Sequence, residues 1–135
     1  RHSFPTRRSS DLDWRPANSA VQKIKKDGSG DTPQLSFVEN PDILATVAKS
    51  ERALSGSLYC VGFAAESENL EAHAKAKRIR KNIPLLVGNI GPATFGLDDN
   101  ALLLVDANGT TELPRASKTE LAKQLITEIS KRVQP

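Results

Sequence analysis

Residues 70–87 read LEAHAKAKRIRKNIPLLV, a helix-length polar segment that runs through a proline into a continuous apolar stretch. At 100° per residue, Ala72, Ala76 and Ile79 fall close together and read as the face that packs on a sheet. Pro84 biases Ile83 away from helical geometry and ends the helix. The following PLLVGN has the length and character of a strand covered on both faces. Five cations (Lys75, Lys77, Arg78, Arg80 and Lys81) crowd the helix just before that strand. Two readings account for them. One is a solvated face whose charges complement the C-terminal end of the helix dipole. The other is a two-lysine clamp for a polyanion, since Lys77 and Lys81 are i,i+4 neighbours with no carboxylate at i+3 or i+4 to pair with them.

Outward from this unit the same alternation repeats. Upstream, LYCVGFAA is an apolar run of strand length, and Ser67 or Asn69 is placed to cap the helix that follows. NPDILATVAK starts another helix, with Asn40 as cap and Pro41 at its first position. Further upstream, segments near Val21–Lys26 and Gln34–Glu39 flank a Gly/Ser/Asp/Pro cluster and read as a hairpin or flap. Downstream come a loop (GPATFGLDDN), a strand (ALLLVD), a turn (ANGT) and a closing amphipathic helix. That last helix carries a Ser117/Glu120 capping box and an i+4 repeat of Leu121, Leu125, Ile129 and Val133. Strands alternating with helices predict an α/β layer with a mainly parallel sheet, plus the hairpin. Ligands in such folds bind outside the carboxyl ends of the strands.

The 135 residues fit one domain or part of one, and 38% hydrophobic content supports a modest core. No run approaches the roughly 18–20 apolar residues of a membrane span. A lone Cys60 inside an apolar run suits a reducing, cytoplasmic setting. The net charge of +3 is partly terminal. RHSFPTRRSSDL (residues 1–12) lacks apolar periodicity, and its His2 to Leu12 back-translates to the end of a widely used sequencing adapter, so residues 1–12 read as an artefactual tail. Its charge is +2, which leaves +1 for residues 13–135. The chain then opens abruptly at DWRPAN, which reads as upstream truncation. Basic character is local, and the general case for nucleic-acid binding weakens.

No Ser/His/Asp or Cys/His nucleophile arrangement, metal-ligand spacing, P-loop or dinucleotide fingerprint is present. His73 reads as an exposed bystander and Cys60 as a small core residue. Three features point toward a nucleotide, each with a plain structural alternative. Phe63, ending the strand LYCVGF, is placed to stack on a base or to fill the core. The NPDIL helix start offers backbone N–H groups to an anion or base edge, or is simply well capped. Lys23, Lys25 and Lys26 beside DGSGD could close over phosphates, or protect an edge strand.

Together the ordered segments DWRPAN, QKIKK, FVENPDILATVA, VGFAAESENLEAHAKAKRIRKN, GLDDNALLLVD and LPRASKTELAKQLITEI closely resemble the C-terminal part of phosphopantothenate–cysteine ligases. The resemblance covers Asp13 to Val133 and implies a Rossmann-like three-layer α/β domain with mainly parallel strands, present as its C-terminal portion. In most bacteria that ligase is the second half of a bifunctional coenzyme A biosynthesis protein, whose first half is an FMN-dependent decarboxylase. The resemblance implies CTP-dependent joining of 4'-phosphopantothenate to L-cysteine through an acyl-cytidylate, with Mg2+ and a cytoplasmic homodimer paired through the flap. FMN would belong only to the decarboxylase half.

Carried over by motif, the family aspartate is Asp13 and its essential lysine is Lys23. Main-chain groups of Pro41, Asp42, Ile43 and Leu44 read the cytosine, Phe63 is the strand-end aromatic, and Lys77 and Lys81 hold the nucleotide's phosphates. No protein metal ligand and no membrane or nucleic-acid partner is implied. Two departures stand out. After PLLV the family usually has Ala-Asn-Asp, where this chain has Gly88, Asn89 and Ile90. A Ser/Gly-rich loop with a functional asparagine is expected upstream of residue 13, so residues 13–135 alone are expected to be inactive. The rival from another class is a non-catalytic nucleotide- or nucleic-acid-binding module using the basic helix face.

Overall fold

The computed structural model describes residues 13–18, 28, 34–66, 68–90 and 98–133, and the chain divides after Asp42 into two units. In the first unit β1 (Trp14–Pro16) pairs antiparallel with β2 (Phe37–Glu39), Trp14 opposite Glu39 and Pro16 opposite Phe37. Flanking backbone bonds from Ala17 N–H to the Ser36 carbonyl and from Asn40 N–H to the Asp13 carbonyl, both 2.8 Å, extend the pairing. The strand anticipated at Gln34–Glu39 is present in its second half. The one anticipated at Val21–Lys26 lies outside the described residues.

The second unit runs α1 (Ile43–Ala48), α2 (Glu51–Leu54), β3 (Val61–Glu66), α3 (Leu70–Lys81), β4 (Leu85–Ile90), β5 (Asp99–Asp106), β6 (Gly109–Ser117) and α4 (Lys118–Val133). Its sheet has the order β3-β4-β5-β6. Only β3 and β4 are parallel, with Phe63 opposite Val87; the other two pairings are antiparallel. The sheet is therefore mixed, which corrects the mainly parallel reading. Connection length is the reason. Residues 91–98 alone join β4 to β5, fewer than the dozen or so a parallel crossover needs. The next link is a tight turn, with Asp106 opposite Gly109 and the Asp106 carboxylate accepting the Asn108 N–H at 2.8 Å. Gly109, at φ 139°, takes the left-handed conformation the turn requires. Strand β6 was not anticipated, because Pro114 breaks the strand pattern; the proline is tolerated on the last strand of this sheet, where an edge needs no inner donor.

Two apolar layers fill the unit. Ala48, Cys60, Ala64, Ala74, Ile83, Leu86 and Val105 pack between the sheet and α1–α3. Leu85, Val87, Leu102, Leu104, Leu113, Leu121 and Leu125 pack on the other face, under α4. Helices thus cover both sides of the sheet. Within α4, Leu121 and Leu125 are buried and Ile129 packs against them, while Val133 is exposed. Ser117 caps it, accepting the Glu120 N–H at 3.2 Å, but the Glu120 carboxylate accepts from Gln124 at 3.2 Å.

Three local expectations shift. Helix α1 begins at Ile43, two residues beyond Pro41, and Asn40 instead accepts the Arg15 guanidinium at 2.8 Å. At the start of α3, Asn69 sits in the left-handed region without a side-chain cap bond; Ser67 lies outside the described residues. Its end is set first by Asn82, also left-handed, whose N–H reaches the Arg78 and Ile79 carbonyls.

The largest correction concerns which side of α3 meets the sheet. Ala74 has 0% exposure, whereas Ile79 is 69% exposed and Ala72 and Ala76 face solvent. The packed side carries Leu70, Ala74, Lys77, Arg78 and Lys81, nearly opposite the anticipated one. Leu70 explains the orientation: it fills the space over Gly88, where a Cβ would come within 2.8 Å of the Leu70 Cδ1. Lysine and arginine stems can line such a boundary because their methylenes pack while the charged ends reach water. Gly62 is equally confined, since a Cβ there would meet Ile83 Cδ1 at 2.6 Å and Leu44 Cδ2 at 2.9 Å.

Ion pairs fasten both ends of the β5–β6 hairpin. Arg115 grips Asp99 with bonds of 2.7 and 2.9 Å. Arg132 of α4 reaches Asp106 at 2.9 Å and the Glu128 carboxylate at 2.7 Å. Burial pushes the Asp106 carboxyl up, but bonds from Arg132 and from the Asn108 and Gly109 N–H groups outweigh it and hold it below the usual range.

Two stability outcomes follow from this packing. Ala74→Leu overfills the α3–sheet contact and costs about 1–3 kcal/mol, while Ile79→Lys stays within about 0.5 kcal/mol; urea unfolding of both checks the helix orientation. Because folding lowers the Asp106 pKa, its contribution is present above the unfolded carboxylate pKa and is lost as pH falls through the folded one. Asp106→Asn is expected to destabilise by about 1–2 kcal/mol at pH 7. The deficit should begin to narrow below about pH 4 and close only below the lowered folded-state pKa, as read by unfolding at pH 7 and at successively lower pH.

Candidate functional site

Helix α3 holds Lys77 and Lys81 one turn apart and both half-buried on its sheet-facing side. Lys75, by contrast, is exposed and pairs with Glu71 at 2.5 Å. Arg78 is turned away from the lysine pair and donates to the Ile83 carbonyl at 3.1 Å. A depression of 260 Å3 is lined by His73, Ala76, Lys77 and Arg80, so His73 and Arg80 stand beside Lys77. His73 is exposed, as its position off the anticipated core face implied.

Phe63 lies in the middle of β3, not at its end, and is 63% exposed. Its neighbours in the strand alternate in facing. Gly62 and Ala64 point toward α1–α3, and Phe63 and Ala65 point to the face that α4 covers farther along. Phe63 therefore stands on the opposite sheet face from the α3 lysines. At the carboxyl end of β4, on the Phe63 face, Asn89 accepts a bond from the Asn100 side chain at 3.2 Å. The place of Asn89 after an apolar strand was visible in sequence; its partner Asn100 was read as loop.

The remaining anticipated residues divide by unit. Ile43 and Leu44 open α1, and Leu44 packs into the layer under Gly62. Asp13, Pro41 and Asp42 belong to the first unit, and Lys23 lies outside the described residues. Cys60 is buried in the α1–α3 layer as a free thiol, in keeping with a core role. The 520 Å3 cavity is elsewhere, at the amino ends of β3 and β4, between Leu54, Leu58, Cys60, Arg78, Ile79 and Pro84. That is the end opposite to where ligands enter open α/β sheets. Among the described residues no group of three His, Cys, Asp or Glu side chains is placed to hold a metal ion. No helix among them is long and apolar enough to cross a membrane.

A four-stranded mixed sheet covered by helices on both faces, with a small separate hairpin, defines a mixed α/β domain; the Lys77–Lys81 pair and the exposed Phe63 stand on its opposite faces. Residues 11–133 match the family described as DNA/pantothenate metabolism flavoprotein C-terminal domain, and the chain belongs to that family. It is 41% identical over 126 residues to the Coenzyme A biosynthesis bifunctional protein CoaBC of Haemophilus influenzae, covering 90% of this chain and 30% of that protein. Identity is 43% over 123 residues to the protein of the same description from Escherichia coli K12, covering 87% and 29%. The chain thus spans about 30% of the length of these curated relatives. A crystal structure of the C-terminal domain of a Coenzyme A biosynthesis bifunctional protein CoaBC superposes with a TM-score of 0.66 at 25% identity, covering 90% of this chain and 50% of that one. The DNA/pantothenate metabolism flavoprotein from Streptococcus pneumoniae shares the fold, with a TM-score of 0.67 at 17% identity.

Proposed function

We propose that residues 13–135 are the C-terminal part of a phosphopantothenate–cysteine ligase that uses CTP in coenzyme A biosynthesis, with residues 1–12 outside it. The observation that carries this reading is the family match over residues 11–133, supported by 41–43% identity to proteins described as bifunctional in coenzyme A biosynthesis. The parent protein would also hold the FMN-dependent decarboxylase half and work as a cytoplasmic homodimer.

In the reaction, the carboxylate of 4'-phosphopantothenate attacks the α-phosphorus of CTP, forming the acyl-cytidylate and expelling pyrophosphate. The cysteine amine then attacks the acyl carbon and CMP leaves. Neither step needs a protein nucleophile; both need the nucleotide's charge neutralised and its parts aligned. Lys77 and Lys81 fit the first task. A lysine about 4 Å from a phosphate charge gains roughly 4 kcal/mol at an effective dielectric near 20, before desolvation is subtracted. Half-burial of their stems lowers the entropy they lose on gripping it. Lys23 and Asp13 are assigned to the same nucleotide by motif, and Pro41–Leu44 to its cytosine. Because Phe63 and the lysines occupy opposite sheet faces, a homodimeric site would let one subunit supply the lysines and the other the ring. Magnesium commonly arrives on substrate phosphates. The described residues form no dedicated cage for it, and no step is assigned to it here.

The test is a thermal-shift titration of the chain with Mg·CTP, with Mg·ATP as control. CTP is expected to raise the melting temperature selectively, and Lys77→Ala/Lys81→Ala to abolish the shift. A base-independent, salt-sensitive shift, or none, overturns the reading. Product assays should show no phosphopantothenoylcysteine from residues 13–135 alone; turnover by that segment contradicts the assigned dependence on upstream residues.

A further inference from the structure

Two asparagines at the carboxyl end of β4 and the start of β5 form a chain of fixed polarity. The Asn100 Oδ1 accepts the Ala101 N–H at 2.8 Å, which commits its Nδ2 to point away from the backbone. That Nδ2 donates to the Asn89 Oδ1 at 3.2 Å. Asn89 is thereby turned so that its own Nδ2 is the atom left to face a ligand. With one lone pair of its Oδ1 already taken by Asn100, the amide presents its Nδ2 as a donor.

The surroundings make this donor useful. Register places Ala65 directly beside Asn89 and Phe63 beside Val87, all on one face. Strand spacing and rise put Phe63 and Asn89 about 8 Å apart at Cα. Ala65 between them is exposed and carries only a methyl group. A planar ring stacked on Phe63 would rest over Ala65 and bring its edge to the Asn89 amide. The stacking of a base on an exposed aromatic is worth roughly 1–3 kcal/mol but reads no particular base; a fixed donor at the edge adds a choice.

We propose that Asn89, held by Asn100, is a specificity-determining residue that donates to a ring or carbonyl acceptor on the edge of the nucleobase stacked on Phe63. The inference rests on the nucleotide reading above. Asn89 contacts the ligand, and Asn100 is its positioning residue.

Calorimetric titration of the chain with Mg·CTP and, separately, with phosphopantothenate tests it. Asn89→Asp keeps an acceptor for Asn100 but replaces the donor with a charged acceptor, and CTP affinity should fall at least about tenfold. Asn100→Asp is the sharper variant. Its carboxylate still accepts the Ala101 N–H but must accept from Asn89, which rotates the amide and presents Oδ1 to the ligand. The same loss of CTP affinity is expected from a protein that still melts cooperatively, with phosphopantothenate affinity unchanged. CTP binding unaltered in both variants overturns this inference and leaves the nucleotide reading standing, as does a loss confined to phosphopantothenate. Failure of the unaltered chain to bind CTP overturns both.

Discussion

The close approach of α3 to the β3–β4 pair is the contact on which the second unit's geometry depends. Ala74 reaches zero exposure there, and the mutual fit of Leu70 and Gly88 sets how the helix is turned. A helix can press this near a sheet only where the opposing positions are small, and the pairing of Ala64 with Gly88 supplies such positions on adjacent strands. Once the helix is held this way, its lysines are no longer free to be a solvated face. Lys77 and Lys81 are carried down to the edge of the core, and Ile79 is left in water.

That exchange runs against simple hydrophobic patterning, yet its cost is small. An exposed isoleucine forgoes burial without creating strain, and long cationic side chains bury methylenes while solvating their charges. The gain is positional. Cations whose stems are packed present their ammonium groups from fewer rotamers, which suits recognition of a multiply charged ligand better than mobile surface lysines.

Organisation of the sheet separates two chemistries. The layer beneath α1–α3 contains the lysines and the start of α1, while Phe63, Ala65 and Asn89 stand on the face shared with α4. The α4 helix shields the β4–β6 part of that face and leaves Phe63 and Ala65 open. Ion pairs at Asp99 and Asp106 hold the β5–β6 hairpin at both ends, and that hairpin carries Asn100. Polar orientation at Asn89 is thus tied to the β5–β6 hairpin through Asn100.

Much was legible in the chain itself. The positions of β3, β4, β5, α3 and α4, the Ser117 cap and the burial of Cys60 follow from local apolar runs, capping residues and helical periodicity, which act over a few residues. Family membership was legible too, because it resides in ordered motifs and not in any contact. The strand direction of β5, the existence of β6 despite Pro114, and the facing of α3 were not. These depend on where a short connection returns, on whether a strand lies at an edge, and on the shape of a sheet surface supplied by distant residues. Sequence by itself determined where β3, β4, β5, α3 and α4 lie and which side chains carry charge. Only the tertiary structure decided which of those side chains share a face, because packing against Gly88 and Ala64 outweighs the helix's own apolar pattern.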